Sequence, residues 1–92
     1  MKIKKLTAMP YAQAYVEYID ENNFTLISYR TRVCVVKNGV LTVRGLYSMT
    51  TRKHIGAFMR EYFKTSFQVA KSLYENKESV DITTGEILKQ VA

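Results

Sequence analysis

The dipeptide Asn38-Gly39 is the feature that most restricts how this chain can fold. Both residues tolerate a positive φ, which a type I′ hairpin turn requires, and apolar β-branched residues lie on either side. Residues 32–37 and 40–44 are therefore predicted to be the two antiparallel strands of one hairpin. The nearly continuous apolar run at 33–36 is typical of a strand that is covered on both faces.

Two further strands are predicted before this hairpin. Residues 24–29 alternate between two faces, and residues 11–19 are rich in aromatic and β-branched side chains and run directly into a polar turn. Pro10 could equally open a helix as its first residue, so a helix over 11–19 is the alternative to the favoured strand. The first half of the chain predicts a meander of three to four strands.

The apolar period changes near Ser48, whose hydroxyl can accept a free N–H group of a starting helix. From Arg52 to about Glu75 the apolar residues fall on one continuous arc of a helix. This pattern predicts one long amphipathic helix, which Thr65 and Ser66 could bend.

The last residues predict a small hairpin. Residues 80–82 and 87–89 read as short strands with Gly85 at the turn, and a short terminal helix from Thr84 is the rival interpretation. The predicted fold is therefore α+β: a small antiparallel β-meander packed against one long amphipathic helix, with a short C-terminal hairpin. At 92 residues, the chain is predicted to be a single domain over 1–92.

Charge is distributed very unevenly along the chain. The 14 Lys and Arg residues exceed the 8 Asp and Glu residues, for a formal net charge of +6. The segment from Asn22 to Arg60 contains no acidic residue and carries +7, so the remainder of the chain carries −1. Clustered basic residues raise the local potential and release counterions from phosphates. The segment therefore predicts a surface for a polyanion, and a solvated surface with random clustering is the alternative.

The predicted binding residues, for nucleic acid or for a protein partner, are taken from this segment, from the helix that follows and from the single histidine. They are Arg30, Arg32, Arg44, Arg52, Lys53, His54, Arg60 and Lys64.

Catalytic and metal-binding constellations are not visible. A nucleophile pair of cysteine and histidine needs both side chains at one site, whereas Cys34 falls within a strand and His54 near the start of the helix. Cys34 is predicted to be a small core hydrophobe. No cluster of His, Cys and carboxylates has metal-ligand spacing, and the four glycines are scattered. We therefore expect no cofactor, no metal and no enzymatic activity.

His54 and the tyrosines each allow two interpretations. His54 either holds the strand-to-helix corner through a hydrogen bond to Ser48, Thr50 or Thr51, or contacts a phosphate or partner at the helix N-terminus. The seven tyrosines either supply the aromatic core of a chain without tryptophan or stack on bases at an interface.

Two short patterns occur between about residues 24 and 62. They are approximately Ser-Tyr-x-Thr-x-Val and, after a hairpin, Ser-x-Thr-Thr-x-x-His-x-x-x-Phe. Their residues are Ser28, Tyr29, Thr31 and Val33, then Ser48, Thr50, Thr51, His54 and Phe58. In these patterns the chain resembles a family of small uncharacterised proteins of tailed bacteriophages and prophages, although Arg32 stands where that family often has a proline. The resemblance implies a phage-type protein that acts in the bacterial cytoplasm, and it implies no specific activity.

The sequence thus predicts a non-enzymatic accessory protein that binds nucleic acid through a basic surface. One alternative is a phage counter-defence inhibitor, similar in role to an anti-CRISPR, that binds a host protein. A second alternative is a homo-oligomeric structural or interaction protein, such as a homodimer that pairs through a sheet edge. The longest apolar runs have four or five residues, so no membrane span is predicted and a cytoplasmic location is expected.

Overall fold

The fold is one antiparallel sheet with two helices, seen in a computed structural model that describes residues 1–90. The helices α1 (Met49–Phe63) and α2 (Phe67–Glu75) lie between the fifth and sixth strands in sequence. Every strand pairs with its neighbours in chain order. The strands are β1 (Lys2–Lys5), β2 (Ala14–Asp20), β3 (Asn23–Ser28), β4 (Thr31–Lys37), β5 (Val40–Val43), β6 (Glu78–Asp81) and β7 (Ile87–Lys89).

The predicted meander of three to four strands is wrong, because the described sheet has seven. The C-terminal hairpin exists as β6 and β7, but it extends the main sheet through pairs such as Leu41 with Val80. Strand β1 has no buried side chain, so its sequence lacks the apolar alternation of a half-buried strand. Its backbone pairs with β2, and the ammonium groups of Lys4 and Lys5 lie 4.2 and 4.3 Å from tyrosine ring centroids in that strand.

Residues 11–19 contain a strand, as favoured, which begins at Ala14 after a turn that includes Pro10. The hairpin turn is also confirmed, because Asn38 and Gly39 both have positive φ, at 52° and 78°. These angles match the type I′ geometry that the dipeptide predicts.

The apolar run in β4 results from a β-bulge and not from the predicted burial of the strand on both faces. The pairing shifts between Leu26, opposite Cys34, and Ile27, opposite Arg32, so Val33 is an extra residue in a β-bulge. The bulge allows the adjacent Val33 and Cys34 both to reach the core. The helices pack against the face of the sheet that carries these core residues. The opposite face carries the alternate residues of the strands, and we call it the open face.

The single long helix is also wrong, because α1 and α2 are separated at Lys64. This residue has φ 53° and ψ 40°, and its N–H donates to the Arg60 carbonyl at 3.2 Å. The bond from Lys64 to Arg60 closes the end of α1 as in an αL cap, and the Thr65 N–H donates to the Met59 carbonyl at 3.3 Å. Both helices still present apolar residues to the sheet, so a continuous apolar arc does not reveal the break.

Replacing Lys64 by glycine is expected to stabilise the protein by about 1 kcal/mol, because glycine adopts the left-handed conformation without a Cβ penalty. Chemical denaturation checks this free energy of unfolding. The matched control is Lys71→Gly within α2, which is expected to destabilise by about 1 kcal/mol. A loss of stability in both variants would show that the left-handed cap at Lys64 is not strained.

The core lies between the two helices and the face of the sheet that is opposite the open face. Its largest fully buried side chain is Phe58 of α1, whose ring centroid lies 6.0 Å from that of Phe24 in β3. Tyr62 and Phe63 complete the cluster, at 5.1 and 5.6 Å from the Phe58 centroid. Edge-on and tilted arrangements of this kind add to the stabilisation from burial. The cluster fixes α1 across the middle of the sheet.

Candidate nucleic-acid interface

A buried polar cluster joins the end of β3 to the start of α1. The Ser28 hydroxyl lies 2.9 Å from the Thr51 hydroxyl and 2.8 Å from Nδ1 of His54. The three side chains are 2, 4 and 1% exposed. This cluster brings together Ser28 of the first short pattern with Thr51 and His54 of the second, which lie 23 and 26 residues further along the chain.

The cluster also includes the N-cap of α1. The N-cap is Ser48, whose hydroxyl accepts from the Thr51 N–H at 3.2 Å and donates to the Thr51 hydroxyl at 3.3 Å. The Ser28 hydroxyl thus links this cap, through Thr51, to the imidazole of His54.

His54 accordingly serves the strand-to-helix corner, with Ser28 as its partner rather than Ser48, Thr50 or Thr51. Burial lowers its pKa from the ordinary value of 6.5, which favours the neutral ring. The exposed Tyr29 ring covers the imidazole, at 5.7 Å between centroids. His54 is thus placed apart from the surface cations with which the sequence grouped it.

Three of the predicted cations lie together on the open face. Arg30, Arg32 and Arg44 line a shallow groove of about 510 Å³, together with Ile27, Thr31 and Tyr47. Arg44 also lines a second depression along β4 and β5, with Val35, Lys37, Asn38, Val40 and Thr42. The two depressions share Arg44 as a lining residue, and we call them together the open-face groove.

The open-face groove is strongly basic. Four cationic side chains line it, and within the described residues no acidic side chain does. Glu17 lies nearby on β2 and pairs with Arg32 at 2.9 Å, which offsets part of that one charge. Arg30, Lys37 and Arg44 are exposed, so they are accessible to an anion in solution.

Tyr47 forms one wall of this groove and is 57% exposed. Its backbone is in the left-handed region, with φ 52°. The ring lies directly against Gly45, where a Cβ atom would stand 2.6 Å from Cε2 of the ring. The absence of a side chain at Gly45 therefore allows this position of the Tyr47 ring.

The remaining predicted cations lie on the helix side of the molecule. Arg52, Lys53 and Arg60 line a groove between α1 and α2, which we call the helix groove. The other lining residues of this groove are Met9, Met49, Gly56, Phe67, Gln68 and Lys71. Lys64 is exposed at the end of α1 and lines neither groove. Folding thus divides the predicted site into two surfaces on opposite sides of the sheet.

The sequence prediction did not include Lys37 and Tyr47 in the site. Lys37 belongs to the acid-free segment. It lies two residues after Val35 in β4, and this spacing is the signal that places both side chains on the open face. No local signal identifies Tyr47, because its position depends on a left-handed backbone and on contact with Gly45.

Side chains suited to chemistry are few. Burial raises the pKa of Cys34 to about 12, so its thiol stays protonated as a core side chain. Residues 1–90 contain no group of three or more His, Cys, Asp and Glu side chains that could hold a metal ion. No helix in this part of the chain is both long and apolar enough to cross a membrane.

Fold and surface together define a small α+β protein with an uncovered, basic sheet face. The chain belongs to the Family of unknown function (DUF8033), which matches residues 1–76. The matched region includes β1 to β5 and both helices, and it ends before the hairpin of β6 and β7. No curated protein and no solved structure matches the chain.

Proposed function

We propose that this protein is a non-enzymatic accessory protein that binds nucleic acid through the open-face groove. The observation that carries the proposal is the convergence of Arg30, Arg32, Lys37 and Arg44 on one acid-free groove, beside an exposed tyrosine. These four cations come from the turn before β4, from near the two ends of β4 and from the residue that follows β5, so only the folded sheet assembles them.

Charge and shape both support a phosphate backbone as the ligand. Guanidinium groups bind phosphate oxygens in a bidentate manner, and neutralisation of phosphates releases counterions. Strand β4 has seven residues, so the groove along it is about 20 Å long at about 3.3 Å per residue. A linear polyanion can therefore contact all four cations at the same time.

The resemblance to small phage proteins agrees with this proposal, since phage genes of this size often encode nucleic-acid accessories or inhibitors of host machinery. We accordingly propose a phage-type protein that acts on nucleic acid in a bacterial cell. The family of unknown function supplies no activity of its own. A host protein as the ligand is the competing outcome of the experiments below.

The double variant Arg30→Gln/Arg44→Gln is expected to weaken binding to a labelled oligonucleotide by at least about tenfold at low salt, because it removes two phosphate contacts. For the unmodified protein, four contacts on a single strand predict a slope of about −3 for log K against log salt concentration. A fourfold rise in salt therefore lowers its affinity by about 50-fold, and the double variant halves the slope. Fluorescence anisotropy at several salt concentrations measures both quantities.

The matched control is Lys53→Gln/Arg60→Gln, which removes the same charge from the helix groove. It is expected to retain the wild-type slope, apart from a small change due to net charge. Equal losses in the two double variants would indicate nonspecific attraction, and a loss confined to the control would assign binding to the helix groove. Either result contradicts the proposed site, and absence of binding at low salt contradicts the function.

A further inference from the structure

We infer that the open-face groove takes single-stranded nucleic acid and that Tyr47 stacks on one unpaired base. The inference rests on the proposed function and adds the class of nucleic acid that the groove selects. Its basis is the conformation and support of one tyrosine, which are independent of the charges that carry the function.

The backbone at Tyr47 adopts a conformation that a side chain normally avoids. Its φ of 52° lies in the left-handed region, where a bulky residue is an outlier and where functional sites often store strain. This conformation directs the aromatic ring to the groove beside Arg30, Arg32 and Arg44. The ring, 57% exposed, therefore lines the groove at a point where it can contact a ligand.

The position of this ring depends on contact with Gly45. The ring approaches its backbone so closely that a Cβ atom at Gly45 would lie 2.6 and 2.7 Å from two ring carbons. The residue remains 57% exposed, so the ring contacts Gly45 and is still accessible to solvent. Such a supported aromatic surface is what stacking on a base requires, because every base has a planar π-face.

The rest of the groove favours unpaired bases over a duplex. Beside the cations, its lining contains the apolar side chains of Ile27, Val35 and Val40 on the open face of the sheet. A duplex presents phosphates to such a surface but keeps its base faces stacked inside, out of reach of Tyr47. Only a single strand allows the phosphates to contact the cations while a base contacts the ring.

The direct test uses the absence of tryptophan in this chain. In Tyr47→Trp, the only tryptophan stands at the groove, and a single-stranded 12-mer is expected to quench its fluorescence when a base stacks on the indole. The same sequence as a blunt duplex is expected to cause no comparable quenching. The control is Tyr11→Trp, at a side chain that is 96% exposed and lines neither groove, where neither form should quench.

Affinity provides the second measurement. Tyr47→Asn removes the ring but tolerates the left-handed backbone, and it is expected to weaken single-strand binding by about 5- to 150-fold with little effect on duplex binding. Tyr47→Phe retains the stacking surface and should stay within about twofold of wild type. Gly45→Ala displaces the ring without changing any charge, so it should lower single-strand affinity towards that of Tyr47→Asn. Thermal melts establish that each variant is folded.

The outcomes separate the two proposals. If Arg30→Gln/Arg44→Gln weakens binding while Tyr47→Asn does not, and the duplex binds as well as the single strand, the open-face groove binds nucleic acid but the present inference is overturned. If neither form of nucleic acid binds at low salt, both proposals fail. Binding of a protein that survives nuclease treatment and depends on Tyr47 would assign the same surface to a protein partner and would also overturn the inference.

Discussion

Replacing Phe58 by alanine is expected to lower the free energy of unfolding by about 3–5 kcal/mol. The side chain is 0% exposed and contacts rings from both the sheet and α1, so its removal leaves a cavity that no neighbour can fill without moving a whole element. A chain of this length has a total stability of roughly 5–14 kcal/mol. The loss is therefore a large part of the total, and it lowers Tm by at least about 12 °C.

Urea denaturation followed by circular dichroism measures this change. Tyr11→Ala is the matched control, because it also removes an aromatic ring but from a side chain that is 96% exposed, and its expected effect is below about 0.5 kcal/mol. Phe58→Leu retains most of the volume and should lie between the two. If Phe58→Ala and Tyr11→Ala differ by less than about 1 kcal/mol, the cluster around Phe58 does not hold α1 on the sheet.

Local chemistry determined which parts of the fold were predictable. The Asn38-Gly39 turn was predicted correctly because two adjacent residues with positive φ have few alternatives. Strand β1 was missed because all its side chains are exposed and its stability comes from backbone pairing to β2 and not from a buried apolar face. The link between β5 and β6 was also missed, since about 35 residues and both helices separate the two strands.

The break between the helices was missed for a related reason. Lys64 ends α1 although lysine has no preference for the left-handed conformation, so its identity contains no stop signal. The apolar period continues through the break, because α1 and α2 bury their inner faces against the same sheet. Thr65 and Ser66 indicate a bend at most, and the position of the break is set by packing.

The charge pattern was informative about the candidate site only in part. The acid-free segment supplies all four cations of the open-face groove and also three cations of the helix groove. Position in the sequence cannot separate these groups, because strand alternation and the crossing to α1 send them to opposite sides of the sheet. Similarly, the sequence indicated a corner role for His54 but not its partner, since Ser28 lies 26 residues away.

Replacing His54 by phenylalanine is expected to destabilise the protein by about 1–3 kcal/mol at pH 7.5, because the buried Ser28 hydroxyl loses its hydrogen-bond partner in the ring. The hydroxyls of Thr51 and Ser48 belong to the same hydrogen-bonded cluster, so their geometry relaxes as well. In Ser28→Ala/His54→Phe both polar partners are removed, and the loss should be smaller than the sum of the single losses by about 0.5–3 kcal/mol. An additive double variant would show that the two side chains do not interact.

The same substitution is expected to remove a pH dependence of stability. The pKa of His54 in the folded protein lies below its ordinary value of 6.5, so between the two values the unfolded chain binds a proton that the folded chain does not. The contribution of neutral His54 to the free energy of unfolding is therefore fully present above about pH 6.5. It decreases as the pH falls from 6.5 to the pKa of the folded protein and does not change further below that pKa. Denaturation midpoints of wild type and His54→Phe between pH 8 and pH 4.5 isolate this contribution, and parallel curves would contradict a buried, neutral His54.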